Sequence, residues 1–196
     1  MRIPTKKNCF QMMCEMKMMD HIVVHSLQVC RVAIFLADHL NRRRYHLNPD
    51  FIRAAALLHD ITKTRSFNTG ENHALTGGQF LVDCGYPKVG DIVRQHVVMD
   101  VYRTANTFKE VEIINYADKR VLHDKIVTLD KRLEYILERY AQKPEDRKRI
   151  NLLWEKTKDL EKGIFNDLSF APDDLIQLIL PLGYSAELQE FKNQCL

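Results

Sequence analysis

Glycine and proline are scarce, at seven and six among 196 residues, so the chain carries few turn signals. Long apolar runs are missing too: candidates such as Ala54 to Leu58 are short and flanked by charge, far from the ~18 to 20 residues a membrane span requires. The start, Met1 to Lys7, lacks the apolar core and small-residue cleavage site of a secretory signal, and the expectation is a cytoplasmic protein. Charge of one sign is also lacking. Lys and Arg total 29 against 26 Asp and Glu, a net +3, and the densest run is Arg42-Arg43-Arg44. That balance argues for neither nucleic acid nor an acidic membrane surface as partner. The five cysteines, Cys9, Cys14, Cys30, Cys84 and Cys195, form no C-x-x-C pair. An odd, scattered set suggests neither a disulfide framework nor a zinc ribbon, and buried free thiols are expected.

What is present is helical periodicity. Ile22, Val23, Leu27, Val29, Cys30, Ala33, Ile34, Leu36, Ala37 and Leu40 recur at the spacing of one helix face. Asn48-Pro49 reads as a cap followed by proline at the first helical position, opening an apolar helix through Leu58. The polar stretch Thr64 to Asn72 reads as a loop. Further helices are expected at about His73 to Cys84, Pro87 to Val97, Phe108 to His123 and Lys125 to Tyr140. Two more follow, one from Lys143-Pro144 to about Lys162 and one from Ala171-Pro172 through Leu180. No strand run appears, so the fold class is all-α. Residues 1–19, with Met12, Met13, Met16, Met18 and Met19, read as an N-terminal helix packing on the core. Residues 20–141 read as the main body and 142–196 as a helical C-terminal extension.

The chemistry lies in ionisable residues set among apolar ones. His59-Asp60 closes the helix containing Ala54-Ala55-Ala56-Leu57-Leu58, His25 sits inside the preceding apolar helix, and Asp118 follows Ile113-Ile114-Asn115-Tyr116-Ala117. Each would be drawn towards the core, where a polar group needs a partner to offset desolvation. A shared cation would serve all of them. Taken singly, His25 or Asp118 is more simply a hydrogen-bonded core residue.

Taken together, His25-Ser26, Leu57-Leu58-His59-Asp60-Ile61-Thr62-Lys63, His73 ahead of Gly77-Gly78, His96 after Ile92-Val93, and Ala117-Asp118-Lys119 resemble a known family. It is the HD-domain metal-dependent phosphohydrolases, in the branch marked by an H-D-I-G-type motif. The ordered set carries the resemblance; a lone H-D pair does not, since His123-Asp124 is a second one. The resemblance covers about residues 20 to 140 and implies an HD-domain helical bundle.

It also implies His25, His59, Asp60 and Asp118 as ligands of a first metal, with His73 and His96 available to a second ion and Asp60 as bridge. Many di-metal members have two adjacent histidines where this chain reads His96-Val97, which leaves open whether one ion or two bind. Imidazole with carboxylate suits Mn, Fe, Co, Ni or Zn. The implied reaction is hydrolysis of a phosphate ester or anhydride by attack of metal-bound hydroxide, on a small phosphorylated substrate of which a nucleotide is the leading class. Asp60, Asp118 and Lys63 would be catalytic, Lys63 meeting phosphate charge, with Arg65 and Lys119 as further candidates. Thr62 replaces the motif's glycine, a change of packing and not of ligation. His21 and His123-Asp124 read as rim or supporting groups. Two other readings stand beside this one: a di-iron oxygenase of similar ligand set, and a non-catalytic ligand-binding or signalling domain. Oligomeric state, including a homo-oligomer, is left open.

Overall fold

The computed structural model describes residues 2–102, 107–179 and 184–195. Among these residues the elements are helical apart from one short hairpin. Lys6–Glu15 (α1) is capped by Thr5, whose side chain accepts from the Asn8 amide. Asp20–Asn41 (α2) is the central helix, with Ile22, Val23, Leu27, Val29, Val32, Ala33, Leu36, Ala37 and Leu40 all buried. By length and composition α2 could cross a membrane, but its apolar face is covered by other helices of this fold.

Pro49–Leu58 (α3) packs along α2 and starts as the sequence implied, with Asn48 Oδ1 accepting from the Asp50 and Phe51 amides. Where a loop was expected, Lys63–Thr69 forms a short helix (α4) with no buried residue, closed by Gly70 at φ 69°. Its missing apolar face is why periodicity did not reveal it. His73–Asp83 (α5) and Pro87–Arg94 (α6) make the most extensive helix pair. Their backbones approach so closely that a Cβ on Gly90 would lie 2.5 Å from the Gly78 carbonyl oxygen. These glycines serve packing.

Glu110–Lys119 (α7) stops short of the helix end expected at His123. The chain instead forms an antiparallel hairpin, Val121–Leu122 (β1) with Lys125–Ile126 (β2), turning at His123-Asp124. Two-residue strands are too short to show alternation. Leu129–Tyr140 (α8) follows, capped by Thr128, and then Pro144–Asn166 (α9). A 3-10 turn at Pro172–Asp174 leads into Leu175–Leu178 (α10), in place of the longer helix expected through Leu180, a residue outside those described. Tyr184–Gln194 (α11) ends the fold.

One buried cluster of apolar side chains runs from Phe10 and Met13 through α2, α3 and α7 to Ile150, Trp154, Leu160 and Ile164 of α9, Leu175 and Phe191. Met12, Met13 and Met18 are buried in it as expected, whereas Met19 is exposed. Arg120 is fully buried where α7 ends. It donates from Nε to the Val127 carbonyl (2.7 Å), from Nη1 to Tyr116 Oη (2.6 Å) and Glu161 Oε2 (3.0 Å), and from Nη2 to the Pro172 carbonyl (2.9 Å).

α11 lies against α1 and α2 through an edge-on contact of Phe10 with Phe191 and ion pairs Lys6–Glu190, Arg31–Glu187 and Lys192–Asp20. Contrary to the expectation of free thiols throughout, Cys14 and Cys195 are joined as a disulfide, with Cα atoms 5.3 Å apart. They sit 181 residues apart in sequence, and spacing could not relate them. Cys9, Cys30 and Cys84 remain thiols, and burial raises Cys9 and Cys30 to about 12, which keeps them protonated and unreactive.

Candidate metal centre

Five segments deliver the site. His25 comes from the middle of α2, His59 and Asp60 from the turn that ends α3, His73 from the first position of α5, His96 from just beyond α6, and Asp118 from α7. Capping fixes His73, because Asn72 Oδ1 accepts from the Ala74 and Leu75 amides. Thr62 donates to the His73 carbonyl (2.8 Å) and meets Thr76 Oγ1 at 3.0 Å, so this threonine ties the motif turn to α5.

The imidazoles are oriented from behind. Nδ1 of His25 lies 3.0 Å from the His123 carbonyl oxygen, that of His59 2.8 Å from Ala56 O, and that of His96 2.7 Å from Val93 O. Carbonyl oxygens only accept, so each Nδ1 carries a proton, which leaves Nε2 as the inward atom that can ligate. His123, exposed at the hairpin turn, takes φ 57° to aim its carbonyl at His25. A non-glycine residue rarely adopts that conformation.

The inward atoms converge in two groups. His25 Nε2 is 3.1 Å from Asp118 Oδ1, and His59 Nε2 is 3.8 Å from that same oxygen and 3.6 Å from Asp60 Oδ2. The other oxygen of Asp60, Oδ1, is 3.1 Å from His73 Nε2 and 3.6 Å from His96 Nε2. His73 and His96 approach each other at 3.2 Å between Nε2 atoms. Asp60 therefore divides its two oxygens between the groups.

These contacts fit a divalent cation. With its proton on Nδ1, His25 turns a lone pair towards Asp118 Oδ1 at 3.1 Å, a contact between acceptors that a cation between them would relieve. The fully buried His59 Nε2 has no hydrogen-bond partner among the described residues. A buried polar atom left so is costly unless a ligand meets it. His25, His59 and Asp118, and separately His59, Asp60 and His96, bring their ligand atoms within 4.8 Å of one another. The site holds a His/Asp cluster that could take metal, and three of the imidazoles have a second interaction fixing ring orientation.

Electrostatics agree. Burial drives His59 down to about 4, against the raising effect of Asp60 and Asp118, so the ring is neutral at pH 7. Burial works to raise Asp60 and Asp118, but the surrounding histidines, Lys63 and Arg132 outweigh it and hold both well below the usual carboxylate range. For His59, the unfolded chain binds a proton more readily than the folded one between about 4 and 6.5. Stability from this group is therefore complete above pH 6.5 and lost as pH falls through that window. Metal-free protein is expected to lose on the order of 2 kcal/mol between pH 7 and pH 5. Thermal melts with chelator at both pH values check this, and an unchanged midpoint contradicts it.

Of the three phosphate-binding candidates, only Lys63 stands at the cluster. Its Nζ is 3.2 Å from His73 Nε2 and 3.9 Å from Asp60 Oδ1, and the side chain is partly exposed. Arg65 turns outward to Glu71 at 2.7 Å. Lys119 is buried, and the three N–H groups of its ammonium are shared among the carbonyls of His96, Val97 and Asn115 and Asn115 Oδ1. Burial lowers it to about 8. Lys119 thus secures the chain beside His96 and has no face left for substrate. His21 is exposed and takes no part, and His123 meets the cluster through its backbone carbonyl while its ring packs edge-on against Tyr135.

The sequence offered no sign of Arg132. This α8 side chain lies with Nη2 4.0 Å from Asp118 Oδ1. α8 carries several charges of both signs, and only the fold tells which one faces the cluster.

A model of the HD domain family matches residues 22–121. The chain belongs to this family of metal-dependent hydrolases. It is 25% identical to the uncharacterized protein MJ0778 of Methanocaldococcus jannaschii over 157 residues, 73% of this chain and 91% of that protein. It is 35% identical to ribonuclease Y of Rubrobacter xylanophilus over 66 residues, 34% of this chain and 12% of that enzyme. No solved structure matches significantly.

Proposed function

We propose that the protein hydrolyses a phosphate ester or anhydride of a small molecule, with a nucleotide as the leading substrate class. His25, His59, Asp60 and Asp118 would hold one divalent ion, and His73, His96 and the other oxygen of Asp60 a second. The observation that carries the reading is the division of Asp60, with Oδ2 towards His59 and Oδ1 towards His73 and His96, beside the ammonium of Lys63. Divalent metal there supplies Lewis acidity and lowers the pKa of water at neutral pH.

The chain's own groups do the rest. The carbonyls of His123, Ala56 and Val93 fix three imidazoles in the tautomer that ligates. Asp60 and Asp118, ionised at any working pH, neutralise cationic charge and can accept a proton from water. Lys63 is placed to balance the charge that develops on non-bridging phosphate oxygens. The same ammonium favours phosphate over dioxygen as the reactant, and so the hydrolase over the oxygenase. Similarity to a protein named as a ribonuclease is in keeping with a phosphate ester as the bond broken.

Full-length protein loaded with Mn²⁺ is expected to release p-nitrophenol from p-nitrophenyl phosphate and phosphate from members of a nucleotide panel. Chelation should abolish turnover and added Mn²⁺ restore it. Protein that carries stoichiometric metal and turns over none of these substrates, with Mn, Fe, Co, Ni or Zn, contradicts the proposal.

A further inference from the structure

Arg132 presents an unusual balance. Its side chain is only 15% exposed, yet its one anionic contact among the described residues, to Asp118 Oδ1, lies at 4.0 Å, the outer limit of an ion pair. Its Nε is buried with no acceptor among the described residues. The guanidinium rests against the Tyr135 ring, 5.7 Å from the ring centre, on its own helix. A guanidinium buried so far and paired so weakly costs stability. That cost is offset when an anion with several oxygens reaches it, because the planar fork can donate two parallel bonds to phosphate.

A second cation stands by the other carboxylate. Lys63 Nζ is 3.9 Å from Asp60 Oδ1, and Arg132 Nη2 is 4.0 Å from Asp118 Oδ1. His59 Nε2 stands 3.6 Å from Asp60 and 3.8 Å from Asp118, so one cation flanks each side of the cluster. An internal phosphodiester offers one negative charge and two non-bridging oxygens. A terminal phosphoryl group offers up to two charges and three such oxygens, enough to meet metal and both side chains together.

We infer that Arg132 is a substrate-binding residue that grips phosphate opposite Lys63, and that the site is set for a terminal phosphoryl group in preference to an internal diester. This rests on the phosphohydrolase reading for the reaction that follows binding, but not for the binding itself.

The test compares full-length wild type, R132Q and R132K, each loaded with Mn²⁺. Bound Mn per chain, titration with inorganic phosphate, and steady-state hydrolysis of p-nitrophenyl phosphate and bis(p-nitrophenyl) phosphate are read in parallel. R132Q is expected to keep the wild-type Mn content while its phosphate Kd rises at least about 10-fold, with R132K between the two. KM for the monoester should rise more than kcat falls, and the preference for monoester over diester should drop by about 10-fold.

An unchanged phosphate Kd in R132Q overturns the inference. Loss of Mn in step with loss of phosphate binding also overturns it, because the arginine would then act by holding Asp118. If R132Q does not fold, R132K, which keeps the alkyl stem and the charge, carries the comparison. Wild type that binds no inorganic phosphate overturns the inference as well. Wild type that binds phosphate through Arg132 but cleaves neither ester defeats the hydrolase reading and leaves this one standing.

Discussion

Asp60→Ala is expected to strip the protein of transition metal and to lower hydrolysis by roughly 10² to 10⁴, the several kcal/mol that a catalytic metal supplies. The size of the effect follows from position. Asp60 Oδ2 approaches His59, while Oδ1 approaches His73 and His96, so one substitution removes an oxygen from both groups of ligand atoms. His73→Ala, by contrast, touches only the group built on Oδ1, and Asp118→Ala only the group containing His25. Elemental analysis of protein purified without chelator should therefore rank the variants, with Asp60→Ala lowest. Asp60→Ala protein that folds and retains the wild-type metal content would defeat the assignment of this cluster as the metal centre. Circular dichroism on the same samples separates loss of metal from loss of fold.

Arg120→Met is expected to cost about 3 to 5 kcal/mol of stability, because it leaves Glu161 without its buried cation and strands three further acceptors. In a chain of this size that corresponds to a fall of roughly 10 °C in Tm. The loss should be cooperative across the molecule, since Arg120 joins the end of α7 to Val127 just after the hairpin, to α9 and to the Pro172 turn. Glu161→Gln keeps an oxygen for the same donors and should cost less. Urea or thermal unfolding checks both, and an Arg120→Met midpoint within 2 °C of wild type, an approximate limit set by the same scaling, contradicts the account.

The contrast between these residues explains what the sequence disclosed. Asp60 was legible because it is an ionisable group next to a run of apolar ones, in an ordered set with His25, His59, His73, His96 and Asp118. The main helices were legible for a similarly local reason: Asn48-Pro49 and the stripe along α2 carry their signal within a few turns. The hairpin at residues 121–126 was not, because two-residue strands have no period. α4 was missed because it buries nothing. Arg132, Arg120 and the Cys14–Cys195 link depend on which distant segments meet, and a single sequence records no such pairing. Lys119 erred in the opposite direction. It stands next to a predicted ligand, yet the fold turns its ammonium onto backbone carbonyls.

The hairpin turn has a different kind of consequence. His25 is oriented by the backbone oxygen of His123, a residue whose own ring is exposed. What the site demands of that position is therefore a spacing and a left-handed bend, not an imidazole. Glycine, which adopts positive φ without strain, satisfies the demand as well as histidine does. A one-residue insertion in the same turn does not, however well its side chains are chosen. At this point of the chain the metal cluster constrains length and backbone bend before it constrains the side chain, and a comparison of related sequences by letters alone would pass over it.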